Sequence, residues 1–227
     1  MDNTPPTLLL TRPRPQSEAF LVACETVLER RLSAVISSLL RIQPVGDVPD
    51  LAAYDTIIVT SGNGVERLKD HLAGRYIVTV GEKTATLARQ HGAAGAVALG
   101  ENIAAFLEKS DHIRGKALLC RGVHSRGDIV RALSNHGVTA EEVVLYDQTA
   151  QPLNTAALQL LAGEARVVAP VFSPRTAKLL SAYSVTAPLT VLAISEATKD
   201  AWSGPGEVQV AAHPDAESML HLVRSAT

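Results

Sequence analysis

The sequence holds only two cysteines in 227 residues, has no excess of basic charge and contains no long apolar run. Each lack narrows its class. Cys24 falls in a helical pattern and Cys120 inside a strand pattern, so no disulfide framework is expected. A net charge of −2 with 19% charged residues speaks against general affinity for nucleic acid or membrane surfaces. No stretch approaches the length of a bilayer-spanning helix. Met1-Asp2-Asn3-Thr4-Pro5-Pro6 lacks the basic start and apolar core of a secretory signal, and a cytoplasmic protein is expected. There is no Walker phosphate loop, and Gly62-Asn63-Gly64 lacks the third glycine of a dinucleotide fingerprint. The seven histidines show no metal-ligand spacing with one another or with cysteine. Ser61, Ser173 and Ser195 have no convincing His–Asp partnership for a hydrolase. No cofactor and no metal are expected.

What is present is one α/β pattern written twice. Ile57-Ile58-Val59-Thr60-Ser61, Val78-Thr79-Val80-Gly81, Leu118-Leu119-Cys120-Arg121 and Val143-Val144-Leu145-Tyr146 form one set of landmarks. The same set returns in rotated order as Leu8-Leu9-Leu10-Thr11-Arg12, Ala34-Val35-Ile36, Val171-Phe172-Ser173 and Ala193-Ile194-Ser195. Ser61 and Ser173 stand 112 residues apart, Thr84 and Thr198 114, and Arg12 and Arg121 109. Arg12 to Ile36 and Arg121 to Leu145 are both steps of 24. Self-similarity at a steady period implies two related α/β domains, here with the second inserted into the first.

Strand-length apolar runs at 7–11 and 34–36 flank a helical pattern over 16–31. The prolines of Arg12-Pro13-Arg14-Pro15 place that segment in a loop before the helix. Residues 56–60, 76–80, 96–99, 117–120 and 142–146 read as strands, with helices at 63–73, 82–91, 102–109 and 125–136 between them. Gly74, Gly92 and Gly137 stand where helices stop. The rest reads strand 167–172, helix 174–183, strand 190–194, helix 196–202, strand 207–211 and helix 215–224. Strand alternating with helix predicts parallel sheets covered on both faces, in flavodoxin- or Rossmann-like layering. Residues 38–44 and 147–151, stopped by Pro44 and Pro152, read as linker strands paired antiparallel. The domains are then 1–37 with 152–227, and 45–146. Ligands of such sheets bind beyond the carboxyl ends of the strands, and two domains presenting those ends to each other would form one cleft.

The strand-to-helix turns carry hydroxyls, small residues and arginines. They include Thr11-Arg12, Thr60-Ser61-Gly62-Asn63, Gly81 with Thr84, Asn102, Arg121-Gly122 with Arg126, Ser173-Pro174-Arg175, Ser195 with Thr198, and Pro214. Hydroxyls and free backbone amides suit an anionic ligand, although each turn taken alone reads as a helix cap. Guanidinium groups suit bidentate capture of carboxylates. Arg12 and Arg121 occupy equivalent places in the repeat, whereas Arg14 and Arg175 read equally well as surface residues. His124 and His213 fall in the same turns as secondary contacts. Tyr146 ends a strand beside the linker. A phenol there can donate a proton to a leaving hydroxyl, or it can cap the sheet with its OH in water.

Taken together, these residues resemble the uroporphyrinogen-III synthase family over essentially the whole chain. The resemblance is carried by Thr11-Arg12-Pro13, Asp55 before Val59-Thr60-Ser61-Gly62-Asn63-Gly64-Val65, and Val80-Gly81-Glu82-Lys83-Thr84-Ala85. It continues through Leu119-Cys120-Arg121-Gly122, Val144-Leu145-Tyr146, Phe172-Ser173-Pro174, Ala193-Ile194-Ser195 and Pro214-Asp215-Ala216-Glu217. It implies two α/β domains joined by a two-stranded ladder. It also implies a reaction in tetrapyrrole synthesis, in which the linear hydroxymethylbilane is cyclised with inversion of its last pyrrole ring and loss of water. The substrate closes without inversion on its own, so the catalyst must chiefly impose geometry, a contribution that reaches about 7–11 kcal/mol in well-oriented systems. Tyr146 is then expected to assist departure of the hydroxyl. Thr60, Ser61, Thr84, Ser173, Ser195 and Thr198, with backbone amides, are expected to hold the acetate and propionate groups. A monomer is expected, with at most a transient contact to the enzyme that makes the unstable substrate.

Two places depart from the commoner pattern of that family. Gly64 stands where a small alanine is frequent, which loosens the turn, and Glu196-Ala197-Thr198 keeps one of two hydroxyls often paired there. A non-catalytic ligand-binding or sensory module for an anionic small molecule would share the same layout. A nucleotide-dependent oxidoreductase is disfavoured by the missing glycine fingerprint.

Overall fold

A computed structural model describes residues 5–100, 102–124 and 128–227. In chain order it contains β1 (Thr7–Leu10), α1 (Arg14–Leu28), β2 (Ala34–Ile36), β3 (Leu40–Pro44), β4 (Thr56–Val59), α2 (Gly62–Leu68), β5 (Tyr76–Thr79), α3 (Glu82–Gln90) and β6 (Gly95–Ala98). These are followed by α4 (Ile103–Glu108), β7 (Ala117–Gly122), α5 (Ile129–Asn135), β8 (Ala140–Ala150), α6 (Thr155–Ala162), β9 (Val167–Val171), α7 (Pro174–Leu180), β10 (Leu189–Ala193), α8 (Glu196–Asp200), β11 (Glu207–Val210) and α9 (Ala216–Ala226). The chain divides into two compact units, Met1–Arg41 with Thr149–Thr227, and Ile42–Gln148.

The discontinuous unit is built on a five-stranded sheet in the order β11-β10-β9-β1-β2, every pairing parallel. The continuous unit has a six-stranded sheet in the order β3-β8-β7-β4-β5-β6, parallel from β8 to β6. If β4, β5, β6, β7 and β8 are matched to β9, β10, β11, β1 and β2, the two orders coincide. The sequence offsets match the same segments. β3 is the extra strand. Val45 N donates to Leu145 O and Gln151 N to Leu39 O, so the partner numbers run in opposite directions and β3 lies antiparallel to β8.

Both sheets are buried on both faces because their central strands are apolar throughout. In the continuous unit Ile57, Val59, Leu118 and Cys120 pack with Val65, Leu68, Ala85 and Ala88 of α2 and α3. The alternate residues Ile58, Val78 and Leu119 pack with Phe106, Ile129 and Leu133 of α4 and α5. In the other unit Val167, Ala169 and Val171 face α6 and α7 through Leu161 and Leu180. Leu8, Leu10 and Val168 face α1 and α9 through Phe20, Cys24, Met219 and Val223. The period of two along each strand divides every sheet between its two helix layers.

Several boundaries differ from the sequence reading. α1 begins at Arg14, not at residue 16, because Pro15 occupies the first turn, where a missing N–H costs no hydrogen bond. α2 ends at Leu68 and passes into a 3-10 turn, Lys69–His71. α6 has no counterpart in the sequence reading; its Asn154 cap accepts from Ala157 N. β8 runs unbroken from Ala140 to Ala150, so Tyr146 lies inside a long strand rather than at the end of a short one. The opening residues of the helix expected at 125–136 fall outside the described residues. Gly92 and Gly137 take φ of 85° and 77°, the left-handed conformation that ends a helix cheaply in glycine.

β9 contains a proline. Its odd residues hydrogen-bond toward β10, as in Val167 N to Pro188 O and Ile194 N to Val171 O, so Pro170 presents its missing N–H toward β1. The β1–β9 ladder accordingly stops at Leu8 and Val168, while β9–β10 pairing continues to Val171. The two central strands thus part at their carboxyl ends.

Candidate functional site

In a doubly wound sheet the crevice opens where the chain changes its direction of winding. In the continuous unit that point lies between β4 and β7. β4 is followed by Thr60 and then by Ser61, which caps α2 by accepting from Gly64 N at 3.3 Å. β7 ends at Gly122, and between Arg121 and Gly122 its pairing with β8 shifts, so that Arg121 faces Val144 but Gly122 faces Tyr146. Such a bulge turns the side chain that follows it. Here it carries the Tyr146 ring over Gly122, where a Cβ would stand 2.6 Å from Cε2. The phenol reaches across to β4, and Tyr146 OH lies 2.7 Å from Ser61 Oγ. Tyr146 is 7% exposed, so its OH is held by Ser61 and does not cap the sheet in water. Gly122, expected as a ligand contact, is instead the buried seat of the ring. Gly64 does not loosen the turn. A Cβ there would meet Val59 Cγ1 at 2.7 Å, and the glycine lets the turn close against β4.

The two equivalent arginines have separate fates. Arg121 donates through Nε and Nη2 to both carboxylate oxygens of Glu142, at 2.8 and 2.6 Å, and through Nη1 to Gly122 O. The bonds it donates to Glu142 raise the Arg121 pKa, and Arg121 in turn holds Glu142 below the usual carboxylate range. The fork that was expected to take a ligand carboxylate is therefore occupied from within the fold. Arg12, after β1, lies with Cζ 4.4 Å over the centroid of Phe172, and burial lowers its pKa from the ordinary value. Its carbonyl accepts from Ser17 Oγ at 2.9 Å and Ser38 Oγ at 2.8 Å. Among the described residues no carboxylate pairs with its guanidinium. It stands where β1 and β9 part, beside Thr11, whose Oγ1 is buried without a hydrogen-bond partner among the described residues.

Most remaining candidates sit at carboxyl ends of strands, and several are spent on caps. Ser173 Oγ accepts from Thr176 N at 3.1 Å, and Ser195 Oγ from Thr198 N at 3.3 Å. Each is also hydrogen-bonded to the hydroxyl of that threonine, at 2.9 and 3.1 Å. Thr198 is fully buried. Its hydroxyl belongs to the cap and does not face a ligand, which corrects the sequence reading. Asn102 Oδ1 likewise accepts from Ala105 N. Thr60, Gly62, Asn63, Gly81 and Thr84 are half-buried around β4 and β5, and Pro174 and Arg175 lie half-buried at the start of α7. Pro214 is exposed before the Asp215 cap of α9. Arg126 lies outside the described residues.

Sequence reasoning missed Glu142, Phe172, Ser17 and Ser38 as partners of the arginines, since nothing in their spacing marks them. It also missed the pairing of His124 Nε2 with Asp147 Oδ1 at 3.2 Å, one residue from Tyr146. Cys24 and Cys120 are free and buried. Burial pushes both thiols up to about 12, with Glu25 adding to the effect at Cys24, so neither is a ready nucleophile. Among the described residues no group of His, Cys, Asp and Glu is placed to hold a metal ion, and no helix is long and apolar enough to cross a membrane.

Comparison with known proteins bears on this geometry. The family described as Uroporphyrinogen-III synthase HemD matches residues 25–221. The crystal structure of uroporphyrinogen-III synthetase from Helicobacter pylori is similar with a TM-score of 0.68 at 17% identity, covering 98% of this chain and 100% of that one. A mutant uroporphyrinogen III synthase from Thermus thermophilus aligns at a TM-score of 0.49 and 15% identity, covering 97% of this chain and 98% of that one. A search of curated proteins returns no match.

Proposed function

The chain belongs to the uroporphyrinogen-III synthase family, which makes it a cyclising hydro-lyase of haem biosynthesis acting on hydroxymethylbilane, and we propose that Tyr146 supplies the proton on which its reaction turns. The observation that carries this reading is the buried phenol at the switch point of the continuous unit, bonded to Ser61 at 2.7 Å. As the C–O bond of the substrate's hydroxymethyl group breaks, its electron pair goes to oxygen. That oxygen takes the phenol proton and leaves as water. The azafulvenium carbon that remains is attacked by the substituted carbon of the terminal ring. The spiro intermediate fragments and recloses, and the proton released on rearomatisation returns to the phenolate.

The carboxylate groups fall to residues whose polar atoms are not already spent. Arg12 supplies a guanidinium free of any carboxylate among the described residues, resting on Phe172. Thr60, Asn63 and Thr84 supply polar groups around β4 and β5. The turns at Ser173, Ser195, Asn102 and Arg175 offer backbone N–H groups beside their caps, while Pro174 and Pro214, which have no N–H, only shape the turns they stand in. Arg121 acts through Glu142 on the shape of β7 and β8 rather than on the ligand.

The continuous unit is an insertion, and β3 with the end of β8 forms a two-stranded antiparallel linker. The first is supported by the coincident strand orders, and the second by the bonds from Val45 N to Leu145 O and from Gln151 N to Leu39 O. The protein works as a cytoplasmic monomer without a cofactor, receiving its unstable substrate from the enzyme that makes it. Incubation with freshly prepared hydroxymethylbilane, followed by oxidation and isomer analysis of the porphyrins, tests the function. Type III product is expected, and type I alone would overturn it.

A further inference from the structure

We propose that Ser61 is the positioning residue of the proton donor, not a carboxylate ligand, and that it fixes which proton Tyr146 can release. This role rests on Tyr146 being the donor.

The protons at the pair can be counted. A serine hydroxyl has one proton and two lone pairs, and a phenol has one proton. One lone pair of Ser61 Oγ is already taken by Gly64 N–H, at 3.3 Å. The 2.7 Å contact with Tyr146 OH uses one of the two hydroxyl protons. When Ser61 donates, the phenol proton is left to be delivered to the departing hydroxyl. The Ser61 O–H then remains bonded to the phenolate oxygen and stabilises its new charge. When Tyr146 donates instead, its proton is locked against Ser61 and is not offered outward. The donating state of Ser61 is therefore the productive one. A carboxylate bound to Ser61 would have to accept the same single proton, so the two roles exclude each other.

The other contacts hold this geometry from two sides. The cap on α2 fixes Ser61 at the carboxyl end of β4. Gly64 allows that turn to close on Val59, with no space for a Cβ. The register shift opposite Gly122, where β8 carries Leu145 as an extra residue, brings the ring across, and the missing Cβ at Gly122 is where the ring lies. Tyr146 OH has no other hydrogen-bond partner among the described residues. Without Ser61 the phenol keeps its place but loses the group that receives its charge.

The test is the kinetics of Ser61→Ala, Ser61→Thr, Tyr146→Phe and the Ser61→Ala/Tyr146→Phe pair on hydroxymethylbilane, with type III product as readout. A hydrogen bond to a developing charge corresponds to a loss of about 10- to 100-fold in rate. Ser61→Ala is expected to lower kcat by that factor with KM nearly unchanged. Ser61→Thr, which keeps the hydroxyl and the cap, is expected to restore most of it. The double variant is expected to be no slower than Tyr146→Phe alone, because the two side chains act as one unit. Ser61→Ala that raises KM at constant kcat, or that slows Tyr146→Phe further by its full factor, overturns the inference and makes Ser61 a substrate contact. Full activity of Tyr146→Phe overturns the donor role itself, whereas a slow Tyr146→Phe with a normal Ser61→Ala overturns only this inference. If Ser61→Ala fails to fold for want of its cap, Ser61→Gly gives a second readout, since glycine is tolerated at a helix N-cap and likewise lacks the hydroxyl. The same selective fall in kcat supports the proposal, and an unchanged kcat refutes it.

Discussion

Arg12 lies over Phe172, with Cζ 4.4 Å from the ring centroid, and the ring meets Phe20 edge to face at 5.0 Å between centroids. The contact holds a half-buried guanidinium at the carboxyl end of β1, and among the described residues no carboxylate takes its fork. Arg12→Lys keeps the charge but loses the planar guanidinium and its bidentate fork. KM for hydroxymethylbilane is expected to rise about tenfold, the scale of one charge-assisted bond, with kcat within about twofold. Steady-state kinetics on the purified variant check this, and an unchanged KM would return Arg12 to a packing role.

Gly122→Ala tests the seat of the phenol in the absence of substrate. The added methyl must displace either the Tyr146 ring or β7. Overpacking of this kind costs about 1–3 kcal/mol. Urea unfolding should show the midpoint falling with little change in slope, and a stability equal to that of the parent would mean the ring has room to move.

Thr198→Val separates a cap from a ligand contact. The valine preserves shape and removes the hydroxyl bonded to Ser195. Stability is expected to fall by about 1 kcal/mol, and KM to stay as it is. A tenfold rise in KM would restore the hydroxyl to the substrate contacts.

The Arg121–Glu142 pair predicts a pH dependence of stability. Glu142 is held below the usual carboxylate range, chiefly by the hydrogen bond from Arg121. Its folded value is the lower one, so the pair stabilises fully above the unfolded carboxylate pKa of about 4.3 and loses that contribution as pH falls through the folded value. The carboxylate is partly open to solvent, which limits the effect to about 0.2–1 kcal/mol. Glu142→Gln should be less stable than the parent at neutral pH and equal to it at the acid end. Chemical unfolding of both proteins across that range decides it, and a difference that persists in acid would rule out the ion pair as its source.

Much of the architecture is legible in the chain because a buried parallel strand leaves a strong mark. Ile57-Ile58-Val59 and Leu118-Leu119-Cys120 have no polar alternation to confuse them, and glycines end several of the intervening helices. Offsets such as Ser61 to Ser173 match strands that occupy the same places in the two sheets. α6 escapes because Thr155–Ala162 is short and mostly apolar, with only Thr155 and Gln159 to set a polar face. The site is legible only at the level of position. Tyr146, Ser61 and Arg12 can be placed at strand ends, but which hydroxyl meets which depends on the register shift at Leu145, opposite Gly122. Arg121 and Arg12 look alike in sequence, and only Glu142 on a neighbouring strand distinguishes them. Pro170 would argue against a central strand by propensity alone, yet its missing donor is tolerated because it faces the end where β1 has already drawn away.

The strand order also dictates a schedule of synthesis. β1 lies between β2 and β9, and β9 leaves the ribosome only after every residue of Ile42–Gln148. The first strands made are therefore the ones that wait longest for a neighbour. The continuous unit can complete its sheet while Leu8, Leu9 and Leu10 still lack β9 on one side. A nascent chain stopped before Val167 should thus carry one finished sheet and one exposed apolar strand, a natural client for a chaperone.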